Sequence, residues 1–316
     1  MSEARKNSLE LSETAALAAI SLVFLIIYKY FPVIGWVITF FSSLPILYAY
    51  LTKDIKYVLI LIAAVSVVAL LITADWMMVT AFLINFAAVG LLLGFFIKRH
   101  ATAENTILLS SIALTLLFYL IIKGLFLVVH KDFVQMSIDS FMKIVNAVQR
   151  KGPQNAALYD TFKTQTLYMI KYGFIAIMFV SNLIYMAIVY YVSRSVLAGM
   201  GIVIPKIKNF SYFRVNNVSV SLLIASLALA LPQVKKTSII LYKTGYNLRM
   251  IMLVLLTIIG LSIVNYWLRR FKISMVIKFI LYFLIVAQFW YFLVFIGIID
   301  FWVNFRKIGI EERGQK

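Results

Sequence analysis

The sequence predicts an all-α, polytopic transmembrane helical bundle, and three observations lead to that fold class. Hydrophobic residues make up 63% of the 316 residues and charged residues only 13%, a composition outside the usual range of soluble domains. Several apolar runs approach the roughly 20 residues that a helix needs to cross about 30 Å of hydrocarbon. Lys and Arg outnumber Asp and Glu by 30 to 12, which favours cytoplasmic loops and contact with anionic lipid headgroups.

The same composition argues against several kinds of chemistry. The chain has no cysteine, so disulfides and thiolate sites are excluded. His100 and His130 stand without an HExxH motif, and the GxSxG, GxxxxGK[ST] and GxGxxG patterns are absent. The basic residues are dispersed among the apolar runs and form no separate basic domain. We therefore expect a protein that is not an enzyme, uses no metal or cofactor, and binds membrane lipid rather than nucleic acid.

Five spans are predicted in the first part of the chain, near residues 14–28, 33–51, 57–73, 76–97 and 106–130. Charged residues precede the first span, and that span has no obvious small-residue cleavage site, so we expect a retained amino terminus and no signal peptide. Pro32, Gly35 and Pro45 interrupt the second span. Irregular backbone inside a bilayer is tolerated only against protein or a water-filled cavity, so residues 31–45 are a candidate cavity wall.

A polar insert at residues 131–165 separates the fifth span from the sixth. Val134, Ile138, Phe141, Val145 and Val148 recur at helical spacing, which predicts an amphipathic helix over residues 132–150 that lies on the membrane or on the bundle. The run from Lys151 to Pro153 ends it. A second helix is predicted from near Asn155 into a sixth span at residues 166–192.

The last third predicts a basic loop at residues 193–216, a short apolar run at 218–231, and two longer spans at 248–267 and 273–299. With the amino terminus in the cytoplasm, the outer turns before the insert hold only Lys29. The inner segments then hold six basic residues: Arg5, Lys6, Lys53, Lys56, Lys98 and Arg99. This asymmetry places the insert outside the cytoplasm.

The number of spans depends on the short run at 218–231. If it is re-entrant there are eight spans and a cytoplasmic carboxyl terminus, which charge favours; if it crosses there are nine, which apolarity favours. Charge leads us slightly to eight. The chain then divides into a membrane core at 1–130, the extracytoplasmic insert at 131–165 and a carboxyl-terminal membrane region at 166–316.

Candidate ligand-binding residues are polar or aromatic groups at membrane depth, where each ionisable group is costly. Lys123 and Lys171 lie near the outer ends of the fifth and sixth spans and predict a cationic mouth for a small anionic ligand; the alternative is snorkelling to the interface. Asn85 and Asn182 either point into the same cavity or join two helices. Trp36 and Trp76 either line the mouth or belong to an interfacial aromatic belt.

Two further groups are candidates for contact with a partner or with neighbouring helices. A polar stripe is predicted at the end of the last helix, where Asp300, Asn304 and Lys307 follow helical spacing. Its role is either structural, through contacts with Arg249 or Asn247 of a neighbouring helix, or functional, as a gate or a contact with a partner. The first span carries small residues at helical spacing, either a docking face or ordinary packing within the bundle: Ser12, Ala15, Ala16, Ala19 and Ser21.

Two resemblances add to this interpretation. The runs YYVSRSVLAGMGIVIPKIKNFSYFRVNN, GYNLRM and GIIDFWVNFRK resemble the YybS-like family of bacterial membrane proteins, which implies a multi-pass protein of the bacterial cytoplasmic membrane. The runs ETAALAAISLV, FPVIG, SLPILYAYL and NFAAVGLLLGFFIKR resemble the S components of energy-coupling factor transporters. That resemblance implies an outward-facing ligand pocket and a docking role for Ala15 and Ala19 toward an energy-coupling module.

The resulting hypothesis is a ligand-binding or transport membrane protein whose amino-terminal core is similar to an S component. The large outer insert and the extra carboxyl-terminal spans are departures from S components. The alternative is a non-transporting interaction or scaffold protein of the cell envelope, in which the insert binds another envelope protein.

Overall fold

The computed structural model describes residues 3–130, 132–149, 156–213, 217–269, 271, 273–303 and 306. Over these residues all regular secondary structure is helical, which confirms the predicted fold class. The helices are α1 (Glu3–Tyr30), α2 (Pro32–Ile38), α3 (Leu44–Thr52), α4 (Ile55–Thr73), α5 (Trp76–Ala81), α6 (Val89–Lys98), α7 (Ala103–Val129), α8 (Phe133–Gln149), α9 (Ala156–Gly199), α10 (Asn217–Leu229), α11 (Pro232–Thr237), α12 (Ile239–Leu268) and α13 (Met275–Val303). A π-helical segment, Phe82–Ala88, joins α5 to α6, and a 3₁₀ turn, Phe210–Tyr212, precedes α10.

Among the described residues, seven helical stretches are long and apolar enough to cross a membrane. They are Asn7–Tyr30, Ile55–Thr73, Trp76–Lys98, Ala103–Leu127, Tyr159–Gly199, Ile239–Leu268 and Val276–Asp300. The two other predicted spans consist of shorter helices: α2 with α3, and α10. The fold is therefore a polytopic helical membrane protein, as its apolar periodicity predicts.

The chain forms two compact units whose boundaries fall inside α7 and α9. Unit 1 comprises Met1–Phe118 with Ser181–Ile207, and unit 2 comprises Tyr119–Val180 with Lys208–Lys316. This division differs from the three consecutive segments expected from sequence. Each unit combines stretches that are distant in the chain, because helices pack on their neighbours in space and not only on those adjacent in sequence.

Unit 1 is built around α1, which packs on α2 and α4. Thr14, Ala18, Ser21 and Leu25 form the buried side of α1. Two ion pairs attach α1 to other parts of unit 1: Lys53 binds Glu13, and near the end of the helix the Lys29 Nζ lies 3.2 Å from the Asp75 Oδ2. A second core joins α3 and α6 to α7 and the later part of α9, with Leu93, Leu114, Met186 and Tyr190 fully buried.

The predicted break in the second span is confirmed. α2 ends at Ile38, a turn occupies residues 39–43, and α3 begins at Leu44 with Pro45 in its first turn. Proline is accommodated there because the first turn of a helix has no intrahelical acceptor for its missing N–H. A Cβ at Gly35 would lie 2.7 Å from the Tyr28 Cα, so glycine lets α2 fold closely against the end of α1.

Unit 2 is organised around α12. Gly260 and Gly297 bring α12 and α13 into backbone contact: a Cβ at Gly260 would lie 2.3 Å from the Leu293 carbonyl oxygen, and one at Gly297 would lie 2.5 Å from that of Leu256. α13 is interrupted at Phe289 (φ −124°, ψ 27°). Its first half also reaches α12, because the Tyr282 hydroxyl donates to the Asn265 Oδ1 at 2.5 Å.

α10 runs antiparallel to α12. Leu229, at the end of α10, packs against Gly245 near the start of α12. Phe213, which precedes α10, has its carbonyl oxygen 3.5 Å from the Ser262 Oγ near the end of α12. These two contact points are roughly 25 Å apart along α12, at about 1.5 Å per residue. The run at 218–231 thus follows α12 for most of its length, while α10 by itself is not among the helices long enough to cross a membrane. Eight and nine spans both stay predictions.

The amphipathic helix in the insert is confirmed as α8. Its apolar side faces the first turns of α9, since Val145 is buried and the Phe141 and Phe162 rings are 6.3 Å apart. The Tyr159 hydroxyl donates to the Val145 carbonyl. The predicted second helix is also present, as the beginning of α9, which continues without a break into the sixth span. The insert is therefore a helical hairpin with an exposed polar side that includes Gln135, Asp139 and Lys143.

Candidate functional site

Three features of unit 1 come together at the middle of predicted spans: two segments that depart from regular α-helix and one side chain that contacts both of them. The first is the turn at residues 39–43 between α2 and α3. The second is the π-helical segment Phe82–Ala88, inside the span Trp76–Lys98. The third is Tyr185 of α9, whose hydroxyl reaches both. π-Helical turns inside α-helices are frequent at functional sites, and broken helices at membrane depth form the solute sites of many transporters.

Tyr185 connects the two irregular segments. Its hydroxyl lies 3.1 Å from the Thr39 carbonyl oxygen and 3.2 Å from the Asn85 carbonyl oxygen. Its ring lies 6.0 Å from that of Phe40. A tyrosine hydroxyl has one proton and two lone pairs, so it serves only one of these carbonyls at a time as donor. We call Thr39, Ser42, Ser43, Asn85 and Tyr185 the broken-helix site.

Two serines give the broken-helix site a buried polar character. Ser42 and Ser43 are fully buried. The Ser42 Oγ donates to the Thr39 carbonyl at 2.8 Å, whereas the Ser43 Oγ has no hydrogen-bond partner among the described residues. A buried hydroxyl without a partner costs free energy. Gly90 stands beside it, since a Cβ at that position would lie 2.9 Å from the Ser43 carbonyl oxygen.

The two predicted asparagines have different surroundings. The Asn85 side chain donates to the Ala81 carbonyl at 3.2 Å, on its own helix, and only its main chain meets Tyr185. The Asn182 Nδ2 donates to the Thr115 Oγ1 at 3.0 Å and thereby joins α9 to α7. Asn182 thus makes the helix-to-helix hydrogen bond that sequence analysis offered as its alternative role.

The two predicted tryptophans of unit 1 are exposed. Trp36 packs edge-on against Phe40, with ring centroids 5.4 Å apart, and so stands one turn from the broken-helix site. Trp76 begins α5 directly after Asp75, whose Oδ1 accepts a hydrogen bond from the Met77 N–H at 3.0 Å. The hydrogen bond from Lys29 lowers the pKa of the Asp75 carboxyl.

Lys123 and Lys171, the predicted cationic mouth, belong to unit 2 and are both exposed. Each ammonium group lies near an aromatic ring of its own helix: the Lys123 Nζ is 5.7 Å from the Tyr119 ring, and the Lys171 Nζ is 5.7 Å from the Tyr172 ring. Amphipathic lysines near span ends adopt such arrangements when they snorkel.

The small-residue face of α1 is open. Ser12, Ala15, Ala16 and Ala19 are exposed, and only Ser21 is buried. The first four are not buried by the described residues of unit 1, as a docking face at Ala15 and Ala19 requires; docking and packing both stay predictions. Small residues on an open transmembrane face permit close approach of a second helix.

The carboxyl-terminal polar stripe is described only at Asp300, since Asn304 and Lys307 lie outside the described residues. Asp300 pairs with Arg306, whose Nη2 donates to its Oδ2 at 2.7 Å. The suggested partner Asn247 bonds α9 instead, through the Tyr172 carbonyl and the Ala176 N–H at 2.7 and 2.8 Å. Arg249 lies over the Tyr246 ring.

Arg306 is an anchor that sequence analysis missed. Its Nη1 donates to the Ser211 and Phe213 carbonyls and to the Ser262 Oγ, at 2.8, 3.0 and 2.6 Å. Asn265 adds a bond to the Ser211 Oγ at 3.0 Å. Together these bonds attach the loop before α10 to α12 and to the end of α13. An arginine following an intramembrane Asp was the available signal.

Within the ranges described, no group of three or more His, Asp or Glu side chains is arranged to hold a metal ion. The polar features of both units are hydroxyls, amides and single ion pairs within an apolar helical frame.

Comparison with known proteins agrees with this architecture. No curated protein and no solved structure matches the chain. A family model described as "Predicted membrane protein (DUF2232)" matches residues 19–301, which extend from α1 to the end of α13 and include the broken-helix site and Asp300. The chain belongs to this family of predicted membrane proteins.

Proposed function

We propose that the protein is a ligand-binding or transport component of the bacterial cytoplasmic membrane, with its amino terminus in the cytoplasm. The observation that carries this proposal is the broken-helix site. A non-helical turn and a π-helical segment meet at mid-span through Tyr185, and a buried serine hydroxyl there has no partner among the described residues. Irregular backbone at membrane depth supplies free polar groups for a solute, and in transporters it forms the binding site.

An anionic ligand suits this site because α3 begins there. The first N–H groups of a helix lack intrahelical acceptors and carry a partial positive charge. In α3 the Leu44 N–H already donates to the Phe41 carbonyl at 3.0 Å and Pro45 has no N–H, so an anion would be favoured chiefly by the helix dipole and the Ser43 hydroxyl. Ser43 stands at the N-cap position of α3 without a side-chain cap bond. A carboxylate or phosphate group would accept a hydrogen bond from its hydroxyl and lie at the favourable end of the helix dipole.

The open face of α1 supports a partner. Ala15 and Ala19 are the positions to which the S-component resemblance assigns docking, and both are exposed. We propose that a transmembrane helix of an energy-coupling module packs on this face, and that the YybS-like and S-component resemblances reflect true kinship. The close approach that alanine permits would provide the van der Waals contact that drives helix association in lipid.

The ligand proposal is tested by native mass spectrometry of protein purified in mild detergent. We expect the wild-type protein to retain a small molecule, and Tyr185→Phe to reduce its occupancy at least fivefold, because the hydroxyl that joins Thr39 to Asn85 is removed. Tyr191→Phe is the matched control, since Tyr191 is exposed on the same helix. Equal occupancy in Tyr185→Phe and wild type, or no retained molecule in either, would contradict the proposal.

The partner proposal is tested by copurification. Ala15→Leu combined with Ala19→Leu should abolish recovery of the energy-coupling proteins with a tagged chain. Val67→Leu, which enlarges an exposed side chain of α4, should leave recovery unchanged. If the wild-type chain brings down no energy-coupling protein, the module is not its partner.

A non-transporting envelope scaffold is the second candidate, and one observation favours it. Ile144 and Met136 of α8 are 64% and 43% exposed, on a helix expected to lie outside the membrane. A photocrosslinker at Ile144 that captures another envelope protein, together with an empty broken-helix site, would favour the scaffold. Crosslinks confined to α9 would count against it.

A further inference from the structure

Unit 2 contains a cluster of four tyrosines, three of which surround one ammonium group. Tyr168 and Tyr172 lie one turn apart on α9, and Tyr242 and Tyr246 lie one turn apart on α12. The Lys235 Nζ, from α11, is 5.2 Å from the Tyr168 ring centroid, 4.7 Å from that of Tyr172 and 5.6 Å from that of Tyr242. We call the four tyrosines the tyrosine cage.

The rings of the tyrosine cage are held in place by one another. Ring centroids are separated by 4.5 Å for Tyr168 and Tyr172, by 5.5 Å for Tyr168 and Tyr246, and by 5.5 Å for Tyr172 and Tyr242. The hydroxyls of Tyr168 and Tyr242 are hydrogen-bonded to each other. Asn247 fixes α12 to α9 immediately beside the rings. The cage is therefore preorganised.

An interfacial aromatic belt does not account for these tyrosines. A belt places tyrosines at the headgroup level with their rings against lipid. In the cage, by contrast, Tyr172, Tyr242 and Tyr246 are only 7%, 5% and 6% exposed. The rings of Tyr168, Tyr172 and Tyr242 face the Lys235 ammonium group, and that of Tyr246 faces the Arg249 guanidinium. Three ring faces directed at one cation form the arrangement by which proteins recognise organic ammonium groups.

Lys235 is held by the tyrosines, through their ring faces and a hydrogen bond to Tyr172. It takes part in none of the ion pairs that the described residues form. Its hydrogen bond to Tyr172 is the largest cause of the raised pKa of its ammonium group. The next residue, Lys236, is exposed. α11 has only six residues and is flanked by Leu231 and Ser238, both in extended conformation. The lysine thus enters the cage from a short helix between two non-helical joints.

We propose that the tyrosine cage is a binding site for an organic ammonium group, and that Lys235 is an internal occupant which such a ligand displaces. The ligand class is a primary or quaternary ammonium compound, either a free amine or the headgroup of a lipid. A lipid source is compatible with the position of the cage, near the beginning of the spans that contain α9 and α12. This site belongs to unit 2 and is independent of the function proposed for the broken-helix site.

The first test measures binding of tetramethylammonium to the full chain in nanodiscs of phosphatidylglycerol, which carries no amine. A tethered lysine competes with any ligand, so the apparent Kd is raised by the inverse of the fraction of time that the cage is open. If Lys235 fills the cage nine-tenths of the time, Lys235→Met should lower the Kd about tenfold. Lys236→Met removes the same charge from an exposed neighbour and should leave the Kd unchanged.

A second pair of variants identifies the rings as the binding element. In the Lys235→Met background, Tyr172→Leu should abolish saturable binding, whereas Tyr172→Phe should retain it because the aromatic face remains. Absence of saturable binding to Lys235→Met, or equal affinity in its Tyr172→Leu derivative, would overturn the proposal. The tyrosines would then serve only to hold α11 in place through Lys235.

A measurement on the wild-type protein covers the case in which these variants fail to fold. Tetramethylammonium should accelerate the acylation of Lys235 by an amine-reactive reagent and leave that of Lys236 unchanged; no acceleration would contradict displacement. Nanodiscs containing phosphatidylcholine distinguish the two sources. If a lipid headgroup occupies the cage, this lipid should weaken tetramethylammonium binding relative to phosphatidylglycerol. Equal binding in both lipids would identify a free amine as the ligand.

Discussion

Arg306 is the residue on which the packing of unit 2 depends most directly. Its side chain and that of Asp300 are 0% and 1% exposed, and its guanidinium also serves two carbonyls of the loop before α10. Removing one partner of a buried ion pair leaves the other charge unpaired, at a cost of about 3–5 kcal/mol. We therefore expect Asp300→Ala to lower the free energy of unfolding by about that amount, as measured by denaturation in mixed micelles.

A double variant separates charge burial from the contact itself. Asp300→Leu with Arg306→Met replaces the pair by apolar groups and should destabilise unit 2 less than Asp300→Ala alone. If the double variant is the less stable of the two, the hydrogen bonds of Arg306 to the carbonyls contribute more to the stability of unit 2 than its pairing with Asp300 does.

Asp75, whose side chain is more exposed than that of Asp300, gives a prediction about the pH dependence of stability. The pKa of its carboxyl is lowered, chiefly by the hydrogen bond from Lys29. A lowered folded-state pKa means stability that is present above the unfolded value of about 3.9 and is lost as the pH falls through the folded value. The thermal midpoint of the wild type should therefore fall below about pH 4 more steeply than that of Asp75→Asn. Parallel acid profiles would show that the pair contributes nothing.

At single residues, local structure was predictable from sequence where one residue type carried the signal. Pro45 and Gly35 predicted the break in the second span because their backbone chemistry is local. Asp300 was recognised as polar at a helix end, but Arg306 was not assigned to it, because the predicted stripe followed helical spacing from Asp300 to positions 304 and 307 and so passed over 306. The role of Tyr185 could not be predicted from sequence, since the two carbonyls to which its hydroxyl bonds are 146 and 100 residues away in the chain.

Among the helices, the contact of α12 with α13 is the closest. A Cβ at Gly260 would meet the Leu293 backbone at 2.3 Å, and backbone cannot move aside as a flexible side chain does. We expect Gly260→Ala to cost about 1–3 kcal/mol in the free energy of unfolding, through overpacking. Gly124 of α7 is the matched control: a Cβ there would meet nothing within 4 Å, so Gly124→Ala should be neutral or stabilising by up to about 1 kcal/mol. Equal effects would exclude packing as the cause.

The helices themselves were largely predictable. α8 followed from apolar spacing, because an amphipathic helix has one face that must be covered. What covers that face did not follow: Phe162 and Tyr159 of α9 do so, and they read in sequence only as the start of another helix. The tyrosine cage was missed for the same reason. Its signal was the i, i+4 spacing of tyrosines at 168 and 172 and again at 242 and 246, which becomes informative only when α9 and α12 are side by side.

For the whole molecule, the path of α10 fixes an expectation about membrane sides. Lys236 follows α10 and Lys208 precedes it, so single cysteines at these positions should react with a membrane-impermeant maleimide from opposite sides. A cysteine at Asp139 in α8 should react from the same side as one at Lys236. The native chain has no cysteine, so each variant is labelled without background. If positions 208 and 236 react from the same side of the membrane, the run at 218–231 is re-entrant and does not cross.

Composition was sufficient for the fold class of the whole chain, because a membrane constrains helix length and polarity strongly. Charge and apolarity predict different numbers of spans. Both treat each apolar run as a unit, whereas the run at 218–231 is placed by contacts of Leu229 with Gly245 and by the loop at Phe213. The division into two units was equally inaccessible, since both α7 and α9 contribute to each of them.

The bonds of Arg306 also impose an order on biosynthesis. The arginine follows Ser211 by 95 residues, and translation at about 5–20 residues per second takes roughly 5 to 20 s to make that length. During this interval α10 has been synthesised, while the carbonyls of Ser211 and Phe213 still lack their guanidinium donor. The carbonyls of Ser211 and Phe213 therefore wait for this donor until Arg306 itself has been made, and a released chain that is truncated before Arg306 would contain every helix of the second unit but lack the bonds that tie the loop before α10 to α12.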